Sequence, residues 1–182
     1  HTFPANNPEI GMNLRQAVPT VPVTSPGDLI GRAGEMHVGG RMVDVQTQSF
    51  IFEAAAWLAQ VLLSGMLDLY PKLTMAIFES NATWLPLVLA RSRNFLDLYA
   101  FQRGPKVADP VETFYRRCFI AFEGDEETVY RLWDLYDQVG LWSSDYPHHD
   151  AEDAWEAMEL MAKHNVPEAT QRRLLGENAR RL

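Results

Sequence analysis

Three carboxylates in this chain each follow a short apolar run, the placement that brings an acid to the open end of a sheet. Asp145 comes after Leu141-Trp142-Ser143-Ser144 and before Tyr146-Pro147-His148-His149-Asp150. An aspartate so placed can ligate a metal, act as a base, or cap the turn ahead of Pro147 through an Asx hydrogen bond. The adjoining His148-His149-Asp150 has the residue types of a metal cluster, although consecutive turn residues usually diverge. Glu79 comes after Leu73 to Phe78 and is followed by Ser80 and Asn81. It is either a ligand or base, or the partner of an arginine such as Arg91 or Arg93. Glu123 comes after Cys118 to Phe122 and precedes Gly124-Asp125, where it can simply join the acidic start of a helix. His37 lies in the Gly-rich Met36-His37-Val38-Gly39-Gly40, a stretch able to close over a substrate, or is an ordinary surface histidine. Cys118 opens an apolar run and reads as core. His164 ends a helical stretch, where a histidine interacts favourably with the helix dipole. His1 joins the candidates only if it ends a strand. Walker A, dinucleotide-fingerprint, nucleophile-elbow and Cys-x-x-Cys motifs are all absent from the sequence.

The elements that would position these residues alternate in type. Residues 1–43 are irregular, with prolines at 4, 8, 19, 22 and 26 and several glycines, a density that blocks helix and central strand alike. A stretch this long is a binding loop, a lid, a linker or a disordered segment. One helical turn is possible over 25–32, with Ser25 as N-cap and Pro26 next. Phe50, Ala54, Trp57, Val61 and Ser64 step at helical spacing, so the spacing predicts a helix over 44–70. Pro71 stops it. A buried strand is expected at 73–78, a helix over 82–99, and a strand at 118–122. A helix over 126–138 with Asp125 as N-cap, and a strand at 141–145, follow. The last helices are expected over 151–164, with Trp155, Met158 and Met161 on one face, and over 168–182, which Thr170 could instead cap as a shorter helix. Short apolar strands alternating with helices indicate parallel βα units, whose sites lie at the carboxyl ends of the strands.

Composition narrows the function classes. The chain has 182 residues, 47% hydrophobic and 22% charged, the mix of one globular domain with core enough to fold without disulfides. Its formal charge of −8 repels phosphate backbones, so no nucleic-acid partner is expected. One cysteine excludes an intrachain disulfide framework and suits a reducing, cytoplasmic setting. The longest apolar stretch, Ala54 to Leu69, is interrupted by Gln60, Ser64, Gly65 and Asp68 and is not a membrane span. No signal peptide is recognisable, and a chain opening on His1 rather than Met reads as processed or truncated.

Leu141-Trp142-Ser143-Ser144-Asp145-Tyr146-Pro147-His148 resembles the last barrel strand of amidohydrolase-related proteins, the group that includes aminocarboxymuconate-semialdehyde decarboxylase. Leu174-Leu175-Gly176-Glu177-Asn178-Ala179 resembles that family's closing helix. Tyr70-Pro71-Lys72-Leu73 and Trp84-Leu85-Pro86 resemble its sixth-strand region. The resemblance covers roughly residues 50 to 182. It implies an α/β fold, the C-terminal half of a distorted (β/α)8 TIM barrel over 44–182, with 1–43 as a loop over the barrel mouth. It also implies a divalent metal, most often zinc, and decarboxylation or hydrolysis of a small aromatic or unsaturated carboxylic acid. Asp145 matches the last-strand aspartate, a metal ligand or the acid/base beside it, and His1 would match the fifth-strand histidine ligand. Glu79 becomes a second catalytic candidate, and Trp84, Asn81, His148 and His37 become substrate-binding candidates.

Two departures from the family pattern qualify this expectation. The first-strand His-x-His pair is absent from the sequence, and Glu79 stands where many members carry a sixth-strand histidine. A carboxylate in place of imidazole moves preference toward harder cations or toward a site without metal. Four parallel strands would leave two open edges, so a second polypeptide supplying the N-terminal half barrel, or a homo-oligomer, is expected. The rival expectation is a non-catalytic half-barrel subunit that completes or regulates an active partner chain.

Overall fold

A computed structural model describes residues 42–102 and 107–182. The expected loop over 1–43, with His1 and His37, therefore lies almost wholly outside the described residues; at 42 the chain is already helical. Helix α1 (Met42–Ser64) is followed by the single turn α2 (Met66–Leu69) and strand β1 (Met75–Ile77). Helix α3 (Leu85–Leu98), a 3-10 turn at Ala100–Gln102, α4 (Pro110–Arg117) and β2 (Cys118–Phe122) come next. Two short helices, α5 (Glu127–Arg131) and α6 (Trp133–Tyr136), precede β3 (Gly140–Trp142). The chain continues through α7 (Ala154–Lys163) and α8 (Glu168–Arg172), then a π turn and a 3-10 turn. The three strands are parallel in the order β1-β2-β3, with Met75 opposite Cys118 and Ile120 opposite Gly140.

Both faces of the sheet are buried, as continuous apolar runs require. Cys118, Ile120 and Phe122 share the main core with Leu58, Leu89, Phe114, Tyr130 and Met161. Phe119, Ala121 and Leu141 form a second, smaller cluster with Ala76, in keeping with the two-residue alternation of a strand. The expected strand over 141–145 ends at Trp142, so Ser143 to Asp145 form the exit loop. Among the described residues, β1 and β3 each pair on one side only. No helix among the described residues is long and apolar enough to cross a membrane.

Four local departures from the expected elements have physical causes. Helix α4 is unmarked by a long apolar stripe. Its start signal is Asp109-Pro110, in which the Asp109 side chain accepts the N–H groups of Val111 and Glu112. The helix expected over 126–138 breaks at Leu132. A straight helix sets residues six apart about 120° from facing the same way; the break lets both Tyr130 and Tyr136 enter the core. Helix α7 starts at Ala154 because Asp153 caps it, and its inward face is Ala157 and Met161, with Trp155 exposed. The last helix widens into a π turn (Arg173–Glu177), which accompanies the inward turn of Leu174 and the fully buried Asn178. Asn178 donates its amide hydrogens to the carbonyls of Asp137 and Gly140, and Thr170 donates to Asp137 instead of capping a helix.

The loop leading into β1 has its own clamp. The buried Arg117 guanidinium donates to the carbonyls of Leu67 at 2.9 Å and Leu73 at 2.9 Å, and also to that of Tyr70. The planar five-donor fork can reach all three carbonyls at once, from the short helix α2 to the start of the strand. Arg117→Ala is therefore expected to lower unfolding stability by about 3 kcal/mol, because several buried acceptors lose their donor together. Urea unfolding followed by circular dichroism measures it, and a loss under about 1 kcal/mol would show that water replaces the guanidinium.

Candidate active site

Parallel strands open their carboxyl ends at one edge, and the loops leaving β1, β2 and β3 carry Glu79 to Asn81, Glu123 to Asp125, and Ser143 to Asp150. Two adjoining cavities of about 290 Å³ and 440 Å³ lie there. Glu79, Asn81, Glu123 and Asp145 line both. Ser144 and Tyr146 belong to the first; His148 and Asp125 belong to the second. Four sequence candidates, Glu79, Asn81, Asp145 and His148, thus come together in one mouth. His1 and His37 lie outside the described residues.

Burial of Glu126 explains how the first two loops meet. The residue is 7% exposed. One oxygen accepts the N–H groups of Ala82 at 2.7 Å and Thr83 at 3.1 Å; the other accepts the Glu123 N–H at 3.0 Å. Tyr136 donates its hydroxyl to the Ala82 carbonyl, and Tyr130 donates to the Gly124 carbonyl. Glu152 joins the third loop to the second: its carboxylate accepts the Asp125 N–H, while its own N–H donates to the Ser144 carbonyl. Trp84, expected against substrate, is instead buried beneath the first loop, where its indole N–H donates to the carbonyls of Ser80 and Asn81. Arg91 stacks on Phe95 and Arg93 forks onto Asp109, so the two arginines considered for Glu79 are engaged elsewhere.

Asp145 and His148 form a pair. The His148 Nδ1 lies 2.8 Å from Asp145 Oδ2, and the His148 backbone N–H donates to the Asp145 carbonyl. The hydrogen bond to Asp145, reinforced by its charge, raises the His148 imidazole above its ordinary value. His149 is 82% exposed on its side chain and lies 3.5 Å from Asp150. The string His148-His149-Asp150 therefore diverges: only its first histidine reaches Asp145.

Glu123 is the residue whose importance the sequence understates. Burial raises its carboxyl to about 7, and the negative charges of Glu126, Asp145, Asp125 and Glu152 push the same way. Asn81 Nδ2 donates toward its Oε2 at 3.4 Å. The signal in the sequence was its place right after a fully buried five-residue strand, the same signal that marked Glu79.

The family resemblance implies a divalent metal, which the donors can be asked to hold. Among the described residues, no three His, Cys, Asp or Glu side chains stand close enough together to do so. Asp145 is the sole implied ligand within them, and it is already bonded to His148. The described donors do not make a metal centre by themselves.

Backbone strain marks the same loops. Glu79, Asn81 and Asp145 all hold left-handed φ values, 54°, 53° and 55°. Asparagine tolerates this region, while a glutamate there costs roughly 1–2 kcal/mol. Strain of this kind collects where side-chain placement is needed for function. Glu79→Gly is expected to raise stability by about 0.5–1 kcal/mol, the left-handed penalty less the added freedom of the unfolded chain. Thermal unfolding checks it; a destabilised variant would mean that Glu79 side-chain interactions outweigh the strain.

The fold and this mouth have counterparts among known proteins. The family model described as Amidohydrolase matches residues 33–182. A crystal structure of an amidohydrolase from Mycobacterium avium subsp. paratuberculosis K-10 superposes with a TM-score of 0.66 at 18% identity, over 86% of this chain and 40% of that one. This chain therefore spans about two fifths of that relative's length. No curated protein matches it. The likeness in structure identifies the three parallel strands and their helices as part of a TIM barrel, and the strings Leu141 to His148 and Leu174 to Ala179 fall inside the matched residues. With a family model covering most of its length, the chain belongs to the amidohydrolase family.

Proposed function

We propose that this chain contributes the C-terminal part of a catalytic amidohydrolase barrel that decarboxylates a small aromatic or unsaturated carboxylic acid. The observation carrying the reading is the Asp145–His148 pair at the ends of the parallel strands. With Nδ1–H donated to Asp145, the Nε2 atom is the one free to exchange a proton in the cavity. The raised affinity of His148 for its proton favours the acid role. In that role the carbon–carboxylate bond breaks and CO₂ leaves. The electron pair left on carbon takes the proton from Nε2, and the neutral imidazole recovers a proton from water. Hydrolysis is the second reading, in which neutral His148 would instead accept a proton from the attacking water.

Amidohydrolases typically use divalent metals. Zinc, the ion the resemblance implies, would need donors beyond the described residues, Asp145 being the expected ligand within them. The one-sided edges of β1 and β3 support a second polypeptide, or a further copy, that supplies more strands. Cys118, buried and pushed up to about 12 by burial, is an inert thiol suited to a cytoplasmic protein. The rival reading, a half-barrel that serves only to complete an active chain, predicts that the acid pair is dispensable.

Asp145→Asn separates the two. The amide keeps the shape and the turn chemistry but not the charge. Turnover of the active assembly is expected to fall about a hundredfold or more. The His148 imidazole should drop toward its ordinary value, which an NMR titration reads directly. The sign for stability follows from the raised folded value. The pair adds stability in acid, and the contribution is lost as pH rises through the folded-state titration of His148. Unchanged turnover in Asp145→Asn, together with unchanged His148 titration, would leave the non-catalytic reading standing.

A further inference from the structure

The loop that carries Asp145 and His148 is closed on itself at a narrow base. Ser144 and Glu152 form that base, where the Glu152 N–H donates to the Ser144 carbonyl at 3.0 Å. Inside the loop the Asp145 carbonyl accepts the His148 N–H at 2.9 Å, and the His148 carbonyl accepts the Ala151 N–H at 3.2 Å. These bonds give the loop its shape but not its direction. The His148 side chain is 59% exposed, so packing among the described residues does not place it either. An exposed loop held only by its own backbone bonds opens easily. Its direction has to be set at the base.

Two features meet there. The Glu152 carboxylate accepts the Asp125 N–H of the second loop at 2.7 Å, a short, charge-assisted bond. The next residue, Asp153, caps α7, whose Ala157 and Met161 are fully buried. The backbone of Glu152 thus stands at the start of an anchored helix. Gly124 supplies the room. A Cβ at that position would lie 2.5 Å from Glu152 Oε2 and 3.6 Å from the Ala157 nitrogen. The first distance is prohibitive and the second is ordinary contact, so a methyl group at 124 would displace the Glu152 carboxylate before anything else. The Gly124 φ is not positive, so the glycine answers to space and not to backbone conformation.

We propose that Glu152 is a positioning residue: its carboxylate, seated in the space that Gly124 leaves open, latches the third loop to the second and so sets where Asp145 and His148 stand. Glu126 does the same between the first and second loops, so the three strand ends are held in series. The latch requires an acceptor at 152 and an empty position at 124. Its meaning for catalysis rests on the proposed roles of Asp145 and His148, but loop placement is read without turnover, so the two can fail separately.

The experiment uses the full chain labelled with nitrogen-15 at pH 7. Glu152→Ala and Gly124→Ala should each speed hydrogen exchange of the Asp125 amide about tenfold. In both, the NMR order parameters of residues 145, 146 and 148–150 should fall from about 0.85 to below about 0.6, while the β2 amides keep their protection. Glu152→Gln retains an acceptor oxygen and should stay near wild type in both measurements. In the double variant the added methyl group has nothing left to displace, so it should match Glu152→Ala alone rather than sum the two effects. The latch is overturned if Glu152→Ala leaves Asp125 exchange and the loop order parameters unchanged, or if Glu152→Gln behaves like Glu152→Ala. It is equally overturned if the two substitutions add in full, or if β2 loses protection along with the loop, which would make Glu152 a general stabiliser.

Discussion

The Glu126 carboxylate, buried between two loops, is the constraint on which the candidate site depends. Taking a carboxylate out of water is expensive, and it is tolerated only when its oxygens are fully used. Here they accept three backbone N–H groups, at 2.7, 3.1 and 3.0 Å. Those N–H groups belong to the loops leaving β1 and β2, which share no ladder hydrogen bonds past the strand ends. One side chain thus holds together two segments that nothing in the sheet would fix. The same burial acts on its neighbour. Burial raises the Glu126 carboxyl itself, against the N–H groups that favour its charged form, and after burial its charge is the next cause that raises the Glu123 carboxyl to about 7. One residue thus bears on both the architecture and the electrostatics of the mouth.

Around this grip the supports are layered. Tyr136 and Tyr130 take the carbonyls that face inward from the two loops, and the Trp84 indole takes two more from beneath. Glu152 extends the network to the loop after β3. Gly124 stands where a Cβ would lie 2.5 Å from Glu152 Oε2, so the tie between the second and third loops leaves no room for a side chain at that point. At the other end of the strands Arg117 makes the complementary arrangement, a buried cation holding backbone carbonyls. The two ends are built alike, with opposite charges gripping opposite backbone groups. The carboxylate end carries the left-handed Glu79, Asn81 and Asp145 beside the two adjoining cavities, which is where a site is expected.

Much of the architecture was legible in the residues because burial writes itself into local pattern. The run Cys118 to Phe122 can only be a strand buried on both faces, and its observed bounds match. Asp145 and Glu79 were recognisable because each follows such a run. What was not legible depends on contacts distant in sequence. Leu132 breaks a helix so that two tyrosines reach different carbonyls, and the closing helix widens around Asn178, which answers to Asp137 and Gly140 about forty residues earlier. Glu123 reads in sequence either as a strand-end carboxylate or as part of the acidic start of a helix, and Glu126 carries no signal of its own. Only the fold distinguishes the one that grips backbone from the one that faces the cavity. Trp84 erred the other way: a large aromatic beside a site residue suggested a binding wall, but its indole N–H was needed under the loop.

The sheet itself limits what the described residues can do alone. Its second face, with Phe119, Ala121 and Leu141, lies on the opposite side from the main helical core. In a closed barrel that face looks inward, toward side chains of strands on the far wall. Strand order β1-β2-β3 with one-sided edges is an arc of such a wall. An arc can orient a proton donor and a carboxylate acceptor, because those depend on loops fixed by Glu126 and Glu152. It cannot enclose a substrate, because enclosure needs the opposite wall. The Asp145–His148 pair therefore divides along a physical line: its geometry is set locally, while exclusion of water, on which its strength depends, is the work of an enclosing wall.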